Sequence, residues 1–294
     1  MSPHRPLAGL LAAFVAAAMP LATDAPVRAQ GVAPPARVAD LAKKPTPRLP
    51  DGRIDLNGTW DHVDGIAFVQ PKDLGRGSLC LVGCANVGAD GAPASGRGGG
   101  AAAPAPRAAQ DFPKYKPELQ NKVADLSARQ VKMDTVLQCY PPGVPRIGPP
   151  QKIVQNAREV VFLYDDVSGA FFRIVPTDGR PHRTDVSPSY LGDAVGRFEG
   201  DTLVVETRNF TDETWLTDNG AFHTTGLRVV ERLRRIGDTI EYQAIVHDPA
   251  VLVEPWAVTP RTLWIADDEM EEPVHCRDSD LQHMVDDTFH ANPR

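Results

Sequence analysis

Between residues 152 and 266 the chain carries a series of short sheet-forming runs, several of them joined by tight turns, and this limits its fold more than any other feature. The runs fall at 152–156, 159–164, 170–175, 196–199, 202–208, 227–236, 239–247 and 261–266. Among the turns are residues 166–169, Glu199-Gly200-Asp201 and Gly237-Asp238, which include residue types that tolerate positive φ in hairpins. Connections this short leave no room for a helical crossover, so the strands they join pair antiparallel and a βαβ fold is excluded. Alternation sorts the faces. Ile240, Tyr242, Ala244 and Val246 point one way, and Thr239, Glu241, Gln243, Ile245 and His247 the other. Leu227, Val229 and Leu233 share a face with Glu231 and Arg235. An antiparallel meander of this many strands with one apolar face closes most easily into a barrel, which removes exposed edges. A two-sheet sandwich is the alternative.

One helix precedes the main strands. Residues 116–133 carry Pro117 and Glu118 in a first turn, and Leu119, Val123, Leu126 and Val131 repeat at close to helical spacing. The run CYPPGVPRIGPP at 139–150 ends it, because proline lacks the amide donor and clashes with the preceding turn. A first strand opens at Leu56-Asn57-Gly58-Thr59-Trp60. Residues 85–110 are low in complexity, and Gly and Ala there bury too little surface to offset backbone ordering, so a disordered insert is expected. Residues 30–50, rich in Pro and Ala, read as an extended lead-in. Residues 1–29 read as a signal peptide, with Arg5 ahead of an Ala/Leu-rich stretch and Val27-Arg28-Ala29 at a cleavage site. Pro20 and Asp24 interrupt that stretch, which argues against a membrane anchor. The expectation is a single all-β domain over 51–294, exported to the periplasm or secreted, with no membrane span in the mature chain.

The net charge is −7. Phosphate binding needs a basic stripe, so nucleic acid is not an expected partner. The one local cluster, Arg228, Arg232, Arg234 and Arg235 with Glu231 among them, reads as a solvated sheet face. Four cysteines in an exported chain read first as disulfides. Of the three pairings, Cys139 with Cys276 and Cys80 with Cys84 are favoured. On the chain-entropy argument the first contributes roughly 4–5 kcal/mol by closing a very long loop. A zinc site of four thiolates is the alternative, but the CxxxC at Cys80 and Cys84 lacks a matching second knuckle. His182, His223 and His247 show no metal-ligand spacing, and no GxSxG elbow or nucleotide loop occurs, so neither metal nor cofactor is expected.

Polar chemistry concentrates on turns at strand ends. In Asp178-Gly179-Arg180-Pro181-His182 a shaped bend presents an imidazole and a guanidinium. His182 is the candidate general base or acid, Asp178 its orienter and Arg180 an anion holder. The plainer alternative is that Asp178 and Arg180 pair with each other to pin the turn. His223, leading into a strand at a barrel rim, is the second candidate proton group, or else an exposed loop residue. Candidate substrate-binding residues are Arg146, Tyr190, Trp215, His247 and Trp256; Asp248 beside His247 also reads as an ordinary turn starter.

Two resemblances follow from these residues. Asn57 to Trp60, NGTW, resembles the Gly-x-Trp signature of lipocalins, and that likeness implies a barrel of calycin type, a Trp plugging its closed end and a small hydrophobic ligand. CYPPGVPR, TDGRPH, GRFEGDTLVVET, NFTDETWLTDNGAFH, LRVVERLRR, HDPAVLVEPW and EEPVHC together resemble an uncharacterised family of exported bacterial proteins, with no implied reaction. The chain departs from that pattern at Phe198, where Trp is common, and at Thr225, where an acidic residue often follows the His. The functional expectation is a cofactor-independent acid–base enzyme (lyase, isomerase or hydrolase) acting on a small, partly apolar molecule. The alternative is a non-catalytic, lipocalin-like binding protein.

Overall fold

In a computed structural model, residues 36–62, 72–73, 78–79, 112–166, 168–266, 269–271 and 276 are described. The strands are β1 (Gly58–His62), β2 (Lys72–Asp73), β3 (Ser78–Leu79), β4 (Lys152–Gln155), β5 (Glu159–Asp166), β6 (Gly169–Pro176), β7 (Asp193–Glu199), β8 (Thr202–Arg208), β9 (Arg228–Ile236), β10 (Thr239–His247), β11 (Trp256–Ala257) and β12 (Arg261–Ile265). The expected turns set the registers: Asp166 faces Gly169, Glu199 faces Thr202 and Ile236 faces Thr239. Gly200 and Gly237 adopt φ of 58° and 59°, which a side chain would oppose.

Nine strands form one nearly closed antiparallel barrel in the order β6-β5-β4-β1-β12-β10-β9-β8-β7. Two meanders, β4 to β6 and β7 to β10 with β12, are joined by β1, which pairs with β4 on one side and β12 on the other. The ends of the sheet, β6 and β7, come together at Gly196. A Cβ there would lie 2.8 Å from Val175 Cγ1 and 3.1 Å from Thr177 Cγ2, so the missing side chain is what lets the wall close.

Three residues of the NGTW motif seat β1 between its neighbours. The Asn57 side-chain oxygen accepts from the Gln155 amide at 2.6 Å, fixing β1 to β4. Gly58, at φ 144°, lets the chain pass Ile265, whose Cδ1 would lie 2.8 Å from a Cβ. Trp60 is buried, donates from Nε1 to the Leu56 carbonyl at 3.1 Å, and carries the Arg235 guanidinium 5.0 Å from its ring centre. This end is shut by the segment leading into β1, with Ile54 and Leu56 fully buried. The lead-in is not wholly extended: Ala36–Leu41 forms a short helix, α1, and Val38 on it is buried. Ala, Arg and Leu favour a helix directly after the prolines, where the Pro-rich average suggested none. The Asp238 amide donates to the Leu41 carbonyl at 3.0 Å, binding this segment to the β9–β10 turn.

The opposite end is covered by a loop and helix layer. The expected helix appears as a 3-10 turn (Pro117–Leu119), α2 (Gln120–Ala128) and α3 (Gln130–Met133). Leu119, Val123 and Leu126 pack on a core that includes Phe210, Leu216, Phe222 and Leu227. Cys139 and Cys276 are joined, with Cα atoms 5.5 Å apart. Residues 1–29, the 85–110 insert and the Cys80–Cys84 pair lie outside the described residues.

The barrel interior is filled rather than hollow where it is described. Phe162, Leu203, Leu233 and Ile240 are fully buried, and among them lies an ion pair. Arg173 from β6 donates to both carboxylate oxygens of Glu231 on β9, at 3.1 and 2.6 Å. The Tyr242 hydroxyl donates to Glu231 at 3.0 Å, while Arg173 also reaches the Tyr164 hydroxyl at 3.1 Å and Thr207 Oγ1 at 2.8 Å. Removing one member strands a charge in the core. Arg173→Met is therefore expected to lower unfolding free energy by about 3–5 kcal/mol, and Arg173→Met with Glu231→Leu to recover most of that loss. Urea denaturation of the two variants beside the wild type measures both effects.

Candidate functional site

Alternation that turns Thr207, Val229 and Val246 inward turns Glu206, Arg208, Arg228 and His247 outward. The β9–β10 turn places Arg228 opposite His247, and the β7–β8 turn places Asp193 opposite Arg208. These groups gather at one end of β7 to β10, on the outer surface of the barrel wall.

Glu206 is the centre of the group. Its Oε1 lies 2.6 Å from Arg208 Nη2 and its Oε2 accepts from Arg228 Nη1 at 3.2 Å. Burial pushes the Glu206 carboxyl up, but Arg208 and Arg228 outweigh it and hold the group below its ordinary value. Asp193 behaves alike. Burial raises it, while hydrogen bonds from Arg183 Nε at 2.7 Å and His182 Nδ1 at 2.9 Å bring it below the usual Asp range. The other nitrogen of His182, Nε2, is enclosed, makes no hydrogen bond among the described residues, and lies 3.5 Å from Glu206 Oε1.

Beside this cluster a cavity of about 600 Å³ opens. Its lining combines Arg208, Arg228 and His247 with Leu227, Leu252, Val253, Pro249 and Pro255, and includes the acids Asp248 and Glu254. Asp248 fixes the shape of the cavity. Its carboxylate accepts from the Thr224 amide at 2.7 Å and from the Ala250 amide at 3.2 Å, so it ties the 224–226 loop to its own turn. The His247 side chain has no hydrogen bond among the described residues, and burial followed by the nearby Arg228 charge pushes its pKa down.

Of the catalytic and substrate-binding candidates read from sequence, His247 lines this cavity; Arg228 and Asp248, read there as part of a solvated face and as a turn starter, line it too. Asp178 is bound to Arg180, Nε to Oδ1 at 2.8 Å and Nη2 to Oδ2 at 2.6 Å, so the turn-pinning alternative describes this pair. The carboxylate on His182 is Asp193, eleven residues on, because Asp178 is claimed by its near neighbour. His223 is buried, against a rim or exposed-loop position. Its Nδ1 meets the Thr224 carbonyl at 2.9 Å and its Nε2 the Thr214 hydroxyl at 2.8 Å, as loop 209–227 folds over the barrel end with Phe210 edge-on at 6.1 Å. Arg146 is buried and holds Asp134 through two 2.7 Å bonds. Trp215 and Trp256 are buried, and Tyr190 stacks on Tyr140 with ring centres 5.4 Å apart. Arg228, Arg232 and Arg234 pair with Glu206, Glu199 and Glu241 on the outer face, as a solvated face requires, whereas Arg235 points inward. Glu206 and Arg208 were not among the sequence candidates, although alternation along β8 places both on its outer face; Arg228, read as part of a solvated face, joins them across the β8–β9 pairing. No group of three or more His, Cys, Asp or Glu able to hold a metal occurs among the described residues.

No protein-family model matches this chain, and no curated protein or solved structure matches it.

His223 supplies a pH test. Burial depresses its pKa below 6.5, so the unfolded chain takes up the proton first as the medium is acidified. Its contribution is complete above pH 6.5 and declines as pH falls below that value. His223→Gln is expected to cost about 1–3 kcal/mol at pH 8 through imperfect replacement of two buried hydrogen bonds. Thermal melts from pH 8 to 5 should show the gap to wild type narrowing on the acid side.

Proposed function

We propose that this chain is an exported small-molecule-binding protein whose ligand occupies the cavity on the outer barrel wall, between the ends of β8 to β10 and the 248–255 loop. The mixed lining of that cavity carries the reading: charged and imidazole groups together with Leu252, Val253 and two prolines. Such a mixture, with a volume of about 600 Å³, suits a metabolite with a polar head and an apolar body. Val253 is 60% exposed, an apolar side chain left uncovered at the cavity's edge. Export is supported by the 1–29 segment and by the Cys139–Cys276 bond, which persists in oxidising compartments. No helix among the described residues is long and apolar enough to cross a membrane.

Binding without catalysis is the better supported of the two expectations. The acid–base alternative keeps one supporting contact, His182 Nδ1 on Asp193, since an imidazole oriented by a carboxylate is how many enzymes build a base. It also needs Nε2 to meet a substrate, and that atom is enclosed against Glu206. His223 and Arg180, the partners it called on, are committed elsewhere.

The test is retention. Mature protein incubated with a library of small amphipathic metabolites should hold a subset, measured by native mass spectrometry, and release them chemically unchanged. Val253→Asp puts a charge on the apolar wall without touching the core and should reduce retention by at least about tenfold. Turnover by the wild type, or unaltered retention by the variant, would refute the assignment.

A further inference from the structure

The outer cluster contains one carboxylate too few for its cations. Glu206 is shared by Arg208 and Arg228, and neither guanidinium has another partner among the described residues. We infer that the ligand is a monocarboxylate with an apolar body, and that Glu206 is an internal counter-ion whose hold on Arg208 and Arg228 the ligand must displace. This rests on the cavity reading above and names its ligand class.

The two guanidiniums are the groups of the lining with donors to spare. The lining carboxylates are held elsewhere, Asp248 by the Thr224 and Ala250 amides and Glu254 by Lys114. A guanidinium carries five donors in a planar fork that matches a carboxylate. Arg228 gives Nη1 to Glu206 and Arg208 gives Nη2, so each keeps other donors for a second acceptor. Arg208 is 55% exposed and Arg228 34%, so both are reachable from solvent. The apolar wall of Leu252 and Val253 then takes the body of the acid.

Glu206 also has somewhere to go. His182 Nε2 lies 3.5 Å from Glu206 Oε1, enclosed and without a hydrogen bond. Because Nδ1 is held on Asp193, the ring presents Nε2 to Glu206 and to no other carboxylate. His182 is thus a positioning residue: with a proton taken up from solvent at Nε2, it donates to Glu206 when the ligand takes the guanidiniums.

Isothermal titration with octanoate and phenylacetate, each beside its neutral amide, tests this on the mature chain. The acids should bind at least about tenfold more tightly than the amides, the worth of one charge-assisted hydrogen bond. Arg228→Ala should erase that difference. Glu206→Gln, which frees both guanidiniums while keeping the side-chain shape, should tighten the acids by about tenfold and leave the amides unchanged. His182→Asn should weaken acid binding in the wild-type background and have no effect beside Glu206→Gln; equal weakening in both backgrounds removes His182 from the account. Amides that bind as tightly as acids, with Val253→Asp abolishing both, would overturn the carboxylate assignment and keep the cavity. If no acid or amide binds and Val253→Asp also leaves library retention unaltered, the cavity reading itself has failed.

Discussion

A single buried ion pair spans the barrel from one side to the other. Arg173 lies on β6, the last strand of one meander, and Glu231 on β9, inside the other. Strands β6 and β7 are not joined by a backbone ladder, so the interior must hold the wall shut from within. Arg173 does so by reaching Glu231 and Thr207 together, on β9 and β8. The two tyrosines around the pair satisfy its remaining bonds, which is what makes two charges tolerable at this depth.

Charge, tyrosine and aliphatic side chains pack the centre, and the candidate cavity lies on the wall's outer surface. There the same strands that carry Glu231 and Thr207 inward carry Glu206, Arg208 and Arg228 outward, one residue away in each case or within three. Fold and site are thus opposite faces of the same two strands. The Asp248 clamp finishes the cavity by fixing the loops on either side of it, so its walls exist before any ligand arrives.

Much of the barrel could be read from the chain. Strands β8 and β10 run over the expected residues, and the others agree to within a few, because two-residue turns and alternation are local properties. The insertion of β1 between β12 and β4 could not be read, since it depends on contacts about a hundred and about two hundred residues away in the chain. Glu231 was visible as an acid on an apolar face, yet its partner Arg173 lies in a run whose alternation puts Phe172 and Ile174 outside at 64% and 49% exposure. An apolar pair facing solvent misdirects any reading that equates hydrophobic with inward. The site was missed for a related reason. Attention went to histidines on turns, where acid–base chemistry is usually sought, while the groups that surround the cavity stand in strand ends whose charges look like ordinary surface. Asp178 beside Arg180 shows the same bias, because a local partner is always available to a bidentate guanidinium and a distant one such as Asp193 is not apparent.

Gly196 has a consequence for association between copies. Two sheet edges that lie against each other without a ladder keep unpaired amides and carbonyls, and close contact is what shields them from a neighbouring chain. A side chain at that position would push β6 from β7 and uncover both rows at once, next to the bare Phe172 and Ile174. The hydrogen atom where other residues carry a methyl thus guards an edge that backbone pairing leaves open.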